Sequence, residues 1–360
     1  MLRLFTNKRR RIESERAPQL TIWDRAAFAQ PGNRLGLLSY ETYDEMLKDS
    51  MVQTVLTVKR LAVVAGETTI EPADSSSEAK RRADFVAWAF AHMDGSPLDV
   101  IHNAMDAFAK GWSVQELVFQ RSGPVLGLQA VRPKDPAGFG MEVDAFGQLK
   151  GLKLRLPGQS ELSLPRSKFV VYVNRRTYSQ PKGKSDLDAA YKHWLAKTSL
   201  LSAWKLHLEK FAMPTVLGKY ERGLPPSEQS AILAALQDIQ NNTAVVHPKE
   251  IEIGLLGGHK EPSTGFQEAI EFHNREIARA VLGQTLTTDE GRRVGSLALG
   301  KVHLQILLLQ VNAIRKELAE SVMTEQVIRP LVELNFGPGL VPKFVFKESG
   351  VAAFSTGELG

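Results

Sequence analysis

The residues best equipped for chemistry stand together between Leu286 and Ser296, where the chain reads LTTDEGRRVGS. Asp289 and Glu290 are acids, Arg292 and Arg293 are bases, and Thr287 and Thr288 carry hydroxyls. Paired carboxylates suit a divalent cation, and paired guanidinium groups suit phosphate. Gly291 and Gly295 allow backbone conformations that other residues resist, so the loop has freedom to move. The plain alternative is a solvated loop whose charges pair among themselves. A second acidic pair, Asp186 and Asp188, forms a DxD. As metal ligands these two need more carboxylates nearby; as acids at the start of a helix they need nothing else, and that reading is preferred.

Other signatures are missing. The eight histidines are scattered. His92 and His102 fall on separate predicted helices, and His193 and His207 sit too far apart on one helix to share a metal. His273 falls on an apolar helix face with Phe266, Ile270 and Ile277, as a hydrogen-bonded core or interface histidine would. No GxxxxGK[ST], HExxH or GxSxG is present, and GFGMEVDAFG offers only GxG with no helix to follow it. With no cysteine, thiol catalysis, disulfides and cysteine zinc sites are excluded, and a reducing compartment is expected. The expectation is a binding or structural machine with no catalytic residue, no metal and no cofactor.

The elements that must position the charged loop are legible around it. A mostly apolar helix, Phe266 to Leu282, runs in, and a longer one, Ser296 to about Arg329, runs out, with Pro330 expected to end or kink it. From Asp186 to residue 212 another helix places Leu187, Tyr191, Trp194, Leu201, Leu208 and Phe211 close to one face, and with Leu200 and Trp204 it is apolar around much of its girth. Between these helices lies a small insert: a strand TVLGKY, a helix PSEQSAILAALQDIQ, and strands TAVVHP and EIEIGLL. Upstream, helices are predicted at 39–64, 78–92 and 97–110, with Ser75–Ser77 and Ser96 as starts and Gly111 as a stop. A strand TTIEP lies between the first two, and the turn-bounded segments of 112–178 predict an antiparallel β-rich unit. Residues 1–38 are polar, basic and broken by Pro18, Pro31 and Gly32, an arm; 336–360 holds one strand, PKFVFK, and a tail.

The chain has 360 residues, 43% hydrophobic, enough for two or three cores. Its net charge of +5 fits contact with a polyanion. The N-terminus, MLRLFTNKRRRIESER, has no apolar run of the secretory kind, and LQILLLQVNAI is too short to span a bilayer, which takes ~20 residues. A soluble protein made without export, with no membrane partner, is expected.

Several segments, in order, resemble a known family. KDSMVQTVLTVKRLAVVAGETTIEPA looks like the opening helix and strand of tailed-bacteriophage portal proteins. GWSVQELVF, LPRSKFVVY, PKGKSDLDAAYKHWLAKTSLLSAWKLHLEKFAMPTVLGKY and FQEAIEFHNREIARAVLGQTLTTDEGRRVGSLALGKVH are similar to the Mu-type branch, across roughly residues 40–335. One departure is Ala212 in EKFAMP, where the family pattern has glycine.

The resemblance implies an α+β portal fold, with these parts: an N-terminal arm at 1–38, a mixed α/β wing at 39–185, paired long stem helices at 186–212 and 262–283, a small α+β clip at 213–261, a tunnel loop at 284–296, a long wing helix at 297–335 and a terminal strand at 336–360. A large crown domain after the long helix is expected to be absent or minimal. It implies a ring, usually of twelve subunits, in the virion at the portal vertex of the capsid, made in the host bacterial cytoplasm. Its implied partners are sequence-independent double-stranded DNA, the large terminase subunit, head-completion or adaptor proteins, the major capsid protein and a scaffold. Thr287, Thr288, Asp289, Glu290, Arg292 and Arg293 would line the DNA channel. A formally neutral loop would touch DNA without gripping it, since each neutralised phosphate adds counterion-release affinity. Lys219, Tyr220, Glu221 and Arg222 of the clip would dock partners, and Trp194, Leu201 and Trp204 of the stem would meet neighbouring subunits. The rival reading is a metal-dependent nucleic-acid-processing enzyme using the DxD or the acids of TTDEG.

Overall fold

The computed structural model describes residues 38–144, 148–155, 160–177, 180–212, 215–219, 223, 225–241, 252–256, 263–284 and 297–347. The chain forms two compact units, Met1–Ala189 with Ala278–Gly360, and Ala190–Ile277.

The first unit opens with two helices, α1 (Tyr40–Met46) and α2 (Ser50–Val64), where one was expected. The break has a local cause: Asp49 accepts the N–H groups of Met51 and Val52, so it starts a new helix. β1 (Thr68–Glu71) and α3 (Ser77–Ala91) follow, the latter capped by Ser76, which accepts from the Ala79 N–H. Val86, Ala89 and Phe90 of α3 are buried, while Phe85 and Trp88 are half-buried and stack on each other at 5.9 Å.

The next expected helix is also two, α4 (Pro97–Ala104) and α5 (Ala107–Lys110). A capping box between Ser96 and Asp99 starts α4. The Ser113 hydroxyl then takes the Ala104 carbonyl at 2.8 Å, and the Phe108 N–H bonds Met105 instead. Gly111, at φ +83°, ends α5 as expected.

The β-rich region is antiparallel throughout. β2 (Trp112–Ser122) and β3 (Val125–Lys134) form a hairpin, and β7 (Phe169–Val173) pairs with the other edge of β2. β4 (Phe139–Val143), β5 (Leu149–Leu154) and β6 (Leu162–Pro165) form a second sheet. Trp112, Val114, Phe139, Leu152, Phe169 and Val171 make one apolar core from strands of both sheets. The Trp112 indole N–H is satisfied by the Tyr40 hydroxyl at 2.7 Å.

The C-terminal helix departs furthest from expectation. α9 (Leu297–Glu317) widens into a π-helical stretch, Leu318–Ile328, then continues as α10 (Arg329–Phe336). Pro330 therefore does not end the helix. It falls at the first turn of α10, where a missing N–H costs little. β10 (Lys343–Phe346) pairs with β1.

Two carboxamides from this C-terminal segment close the edges of the β3–β2–β7 sheet. Gln326 accepts from the Val171 N–H at 2.7 Å and donates to its carbonyl at 3.0 Å, on β7. Asn335 does the same to Leu126 on β3, at 2.8 and 2.9 Å. Each side chain imitates the backbone of an added strand.

The second unit holds the greater part of two long helices, α6 (Leu187–Ala212) and α8 (Ser263–Leu282). At 26 residues α6 is ~39 Å long. Between them come β8 (Thr215–Lys219), α7 (Pro226–Asn241) and β9 (Glu252–Leu256), with β8 and β9 antiparallel. The expected strand TAVVHP lies outside the described residues. The class is α+β, as the sequence implied.

Candidate assembly site on the long helix

The start of α6 is fastened by buried charge. Asp186, just before the helix, is 1% exposed. It accepts from Lys59 Nζ at 2.6 Å and Asn174 Nδ2 at 3.0 Å, and Arg175 comes within 3.3 Å. Its own N–H donates to the Phe108 carbonyl at 2.8 Å. The Lys59 ammonium also lies 4.4 Å from the Phe108 ring centre. Asp188 accepts from the Tyr43 hydroxyl at 2.6 Å; burial first, then that carboxylate, pushes the phenol pKa well up. Arg175 adopts φ +48°, the one non-glycine in the left-handed region among the described residues, beside this cluster.

This corrects one sequence reading. Asp186 was expected to need nothing beyond the helix dipole; instead it belongs to a buried ion network. Its oxygens face Lys59, Asn174 and Arg175, which suits a structural anchor. The signal available in the sequence was Lys59. It stands in the buried series Val52, Val55, Leu56, Lys59, Val63 of α2, where a lysine requires a buried partner.

Farther along α6, in the second unit, the character changes. Trp194 is half-buried, with its ring 6.0 Å from Tyr191. Trp204 is half-buried and stacks on Phe266 of α8, the centroids 6.4 Å apart and the planes 5° from parallel. Leu201, expected to meet a neighbouring subunit, and Leu208 are 43% and 49% exposed, and Leu195 and Leu206 are 47% and 52% exposed. His273 does pair across the helices, its Nδ1 lying 3.1 Å from His193 Nδ1. Burial, then nearby Lys192, lowers the His193 pKa despite Glu276 at 3.9 Å.

The remaining expected site residues are not brought into view. Thr287, Thr288, Asp289, Glu290, Arg292 and Arg293 lie outside the described residues, as do Tyr220, Glu221 and Arg222. Lys219 is described by its backbone alone, as the last residue of β8, paired with Glu252. Among the described residues no three His, Asp or Glu side chains group to hold a metal, and no helix is long and apolar enough to cross a membrane.

A family model described as the portal protein of Mu bacteriophage matches residues 40–353. The portal protein of Escherichia phage Mu is 29% identical over 296 residues, covering 81% of this chain and 56% of the relative. The Mu-like prophage FluMu protein gp29 of Haemophilus influenzae is 27% identical over 293 residues, covering 80% and 55%. The chain thus spans about half the length of the curated relatives it matches. Among solved structures, a chain from the neck of the native GTA particle, computed with C12 symmetry, aligns with a TM-score of 0.58 at 13% identity, covering 92% of this chain and 91% of that one. A chain from the virion of the native gene transfer agent gives 0.58 at 13%, covering 88% and 86%. At such identities the structures speak to the fold, which is the α+β architecture of that class.

Proposed function

This chain belongs to the portal-protein family of Mu bacteriophage, and from that premise we propose that it forms a closed ring at one capsid vertex, the channel for packaging and ejecting genome DNA. The observation that carries the ring is the exposed apolar surface on two sides of α6. Leu195, Leu201, Leu206 and Leu208 each leave close to half of a leucine surface in water. Burying such surface is worth ~25 cal/mol per Å². A head-to-tail contact with the next copy, repeated until it closes, would cover it. C12 symmetry in the neck of the gene transfer agent supports twelve copies by analogy.

On this reading 39–185 and 297–335 form the wing, 186–212 and 262–283 the stem, and 213–261 the clip. Trp194, Leu201 and Trp204 meet neighbouring subunits. Lys219, Tyr220, Glu221 and Arg222 contribute to docking the large terminase subunit and later the head-completion proteins. Residues 284–296 face the DNA, with Asp289 and Glu290 offsetting Arg292 and Arg293 so that duplex slides rather than sticks. The ring would sit against the major capsid protein, and a scaffold is a further assembly partner. Portal proteins are structural rather than enzymatic. The rival metal-dependent enzyme also loses one candidate ligand, because Asp186 is taken up by Lys59 and Asn174.

Negative-stain imaging with mass measurement on the same purified sample tests the ring. A holed particle near twelve chain masses is expected; a monomer or dimer, unchanged by capsid protein or scaffold, would refute it. Reversing Asp289 and Glu290 to lysine should leave rings intact and impair DNA packaging, and full heads in that variant would remove the channel-loop assignment.

A further inference from the structure

A cavity of about 340 Å³ in the first unit is lined by two arginines and one acid. Arg166, Arg176, Pro181, Glu317, Ser321 and Gln326 are among the residues that line it. Apolar residues of β4, β5 and β7 complete the lining.

The Arg166 guanidinium is half-buried. It donates to the Phe169 carbonyl and to Gln326 Oε1, both neutral, and meets no carboxylate among the described residues. Burial alone lowers its pKa, yet a guanidinium stays protonated. It is therefore an uncompensated cation at a cavity wall. Arg176 adds a second positive charge. Ser321 and Gln148 contribute side-chain donors with no hydrogen-bond partner among the described residues. The lone acid, Glu317, accepts the Tyr172 hydroxyl at 3.2 Å, and burial pushes its carboxyl pKa up.

We propose that this cavity binds a phosphoryl group, held by Arg166 and Arg176 with Ser321 and Gln148 as further donors. Two cations and two neutral donors suit a tetrahedral oxyanion, whose several oxygens accept from different directions. The volume takes a phosphoryl group with a small attached moiety. That moiety is either a free phosphorylated solute or the sugar-phosphate backbone of a nucleic acid. The inference does not depend on the ring.

The test titrates the full chain calorimetrically with inorganic phosphate and pyrophosphate, and by anisotropy with a mixed-sequence DNA duplex. Saturable phosphate binding is expected. Arg166→Gln should weaken it about tenfold or more, since hydrogen bonds to charged groups are the strong ones. Ser321→Ala, which spares the Arg166 contacts, should weaken it severalfold, and Glu317→Gln should strengthen it. Duplex affinity that moves with the same three variants identifies the backbone as the source. Phosphate binding that responds while duplex affinity stays fixed identifies a free solute. No saturable phosphate or pyrophosphate binding, or binding indifferent to all three variants, overturns the site.

Discussion

At the start of α6, Leu187 is fully covered and Asp186 is neutralised by Lys59. Two to six turns on, Leu195, Leu201, Leu206 and Leu208 are all more than 40% exposed. One helix therefore obeys two rules. Its first turn is finished within a single chain, down to the charge balance of a buried carboxylate. Its later turns carry apolar surface that a lone chain leaves in water, beside two tryptophans that are only half-covered. If the proposed ring closes there, stability and assembly occupy different stretches of the same element, and substitutions should separate them.

The sharpest way to break the comparison is at the anchor. Lys59→Met leaves Asp186 buried and poorly compensated, which should cost about 3–5 kcal/mol in chemical denaturation of the purified chain. Adding Asp186→Leu should recover most of that loss, because two apolar groups need no partner. If Lys59→Met alone is nearly neutral, Arg175 is the counter-charge that matters. A smaller effect on folding, and a larger one on mass, is expected on the later turns. Leu201→Glu with Leu208→Glu should shift the stability of the isolated chain by no more than ~0.5 kcal/mol, as exposed substitutions do. The same pair should abolish rings by mass measurement. Intact rings would show that another surface closes the assembly.

The smallest effect belongs to a partly exposed ion triad that serves as the contrast to the buried one. Glu116 lies 2.8 Å from Lys168 and 3.0 Å from Lys134, and these hydrogen-bonded ammonium groups depress its pKa. A depressed carboxylate adds stability at neutral pH that disappears as the pH falls through its folded-state pKa, below the usual carboxylate range. Glu116→Gln should cost well under roughly 1 kcal/mol at neutral pH and slightly flatten the acid limb of the stability profile. A loss as large as that of Lys59→Met would erase the distinction between buried and exposed charge in this fold.

Elements governed by neighbours in sequence were legible before the structure was seen. Ser76 and Ser96 start their helices, Gly111 stops one, and the stretch after it is antiparallel β as read. What escaped depends on distant partners. Ser113 breaks a helix by taking the Ala104 carbonyl. Asp186 meets a lysine 127 residues upstream. Pro330 was read as ending or kinking the helix because its effect was judged within one turn, whereas the helix runs on and had already changed its winding at Leu318. Leu201 and Leu208 were placed correctly on an apolar side of α6, but periodicity does not say whether that side is covered by the same chain or by another. The charged loop and the docking residues of the insert remain proposals for the same reason: nothing local dictates their surroundings.

The two carboxamides that seal the sheet also impose an order in time. Val171 and Leu126 are synthesised 155 and 209 residues before Gln326 and Asn335 respectively. At ribosomal speeds of ~5–20 residues per second, the β3 and β7 edges wait on the order of ten to forty seconds for their caps. In a cell making many copies at once, nascent sheets stand open to one another throughout that interval. A chain interrupted before Gln326 would never leave it, so premature termination here yields a sticky fragment rather than a merely shorter subunit.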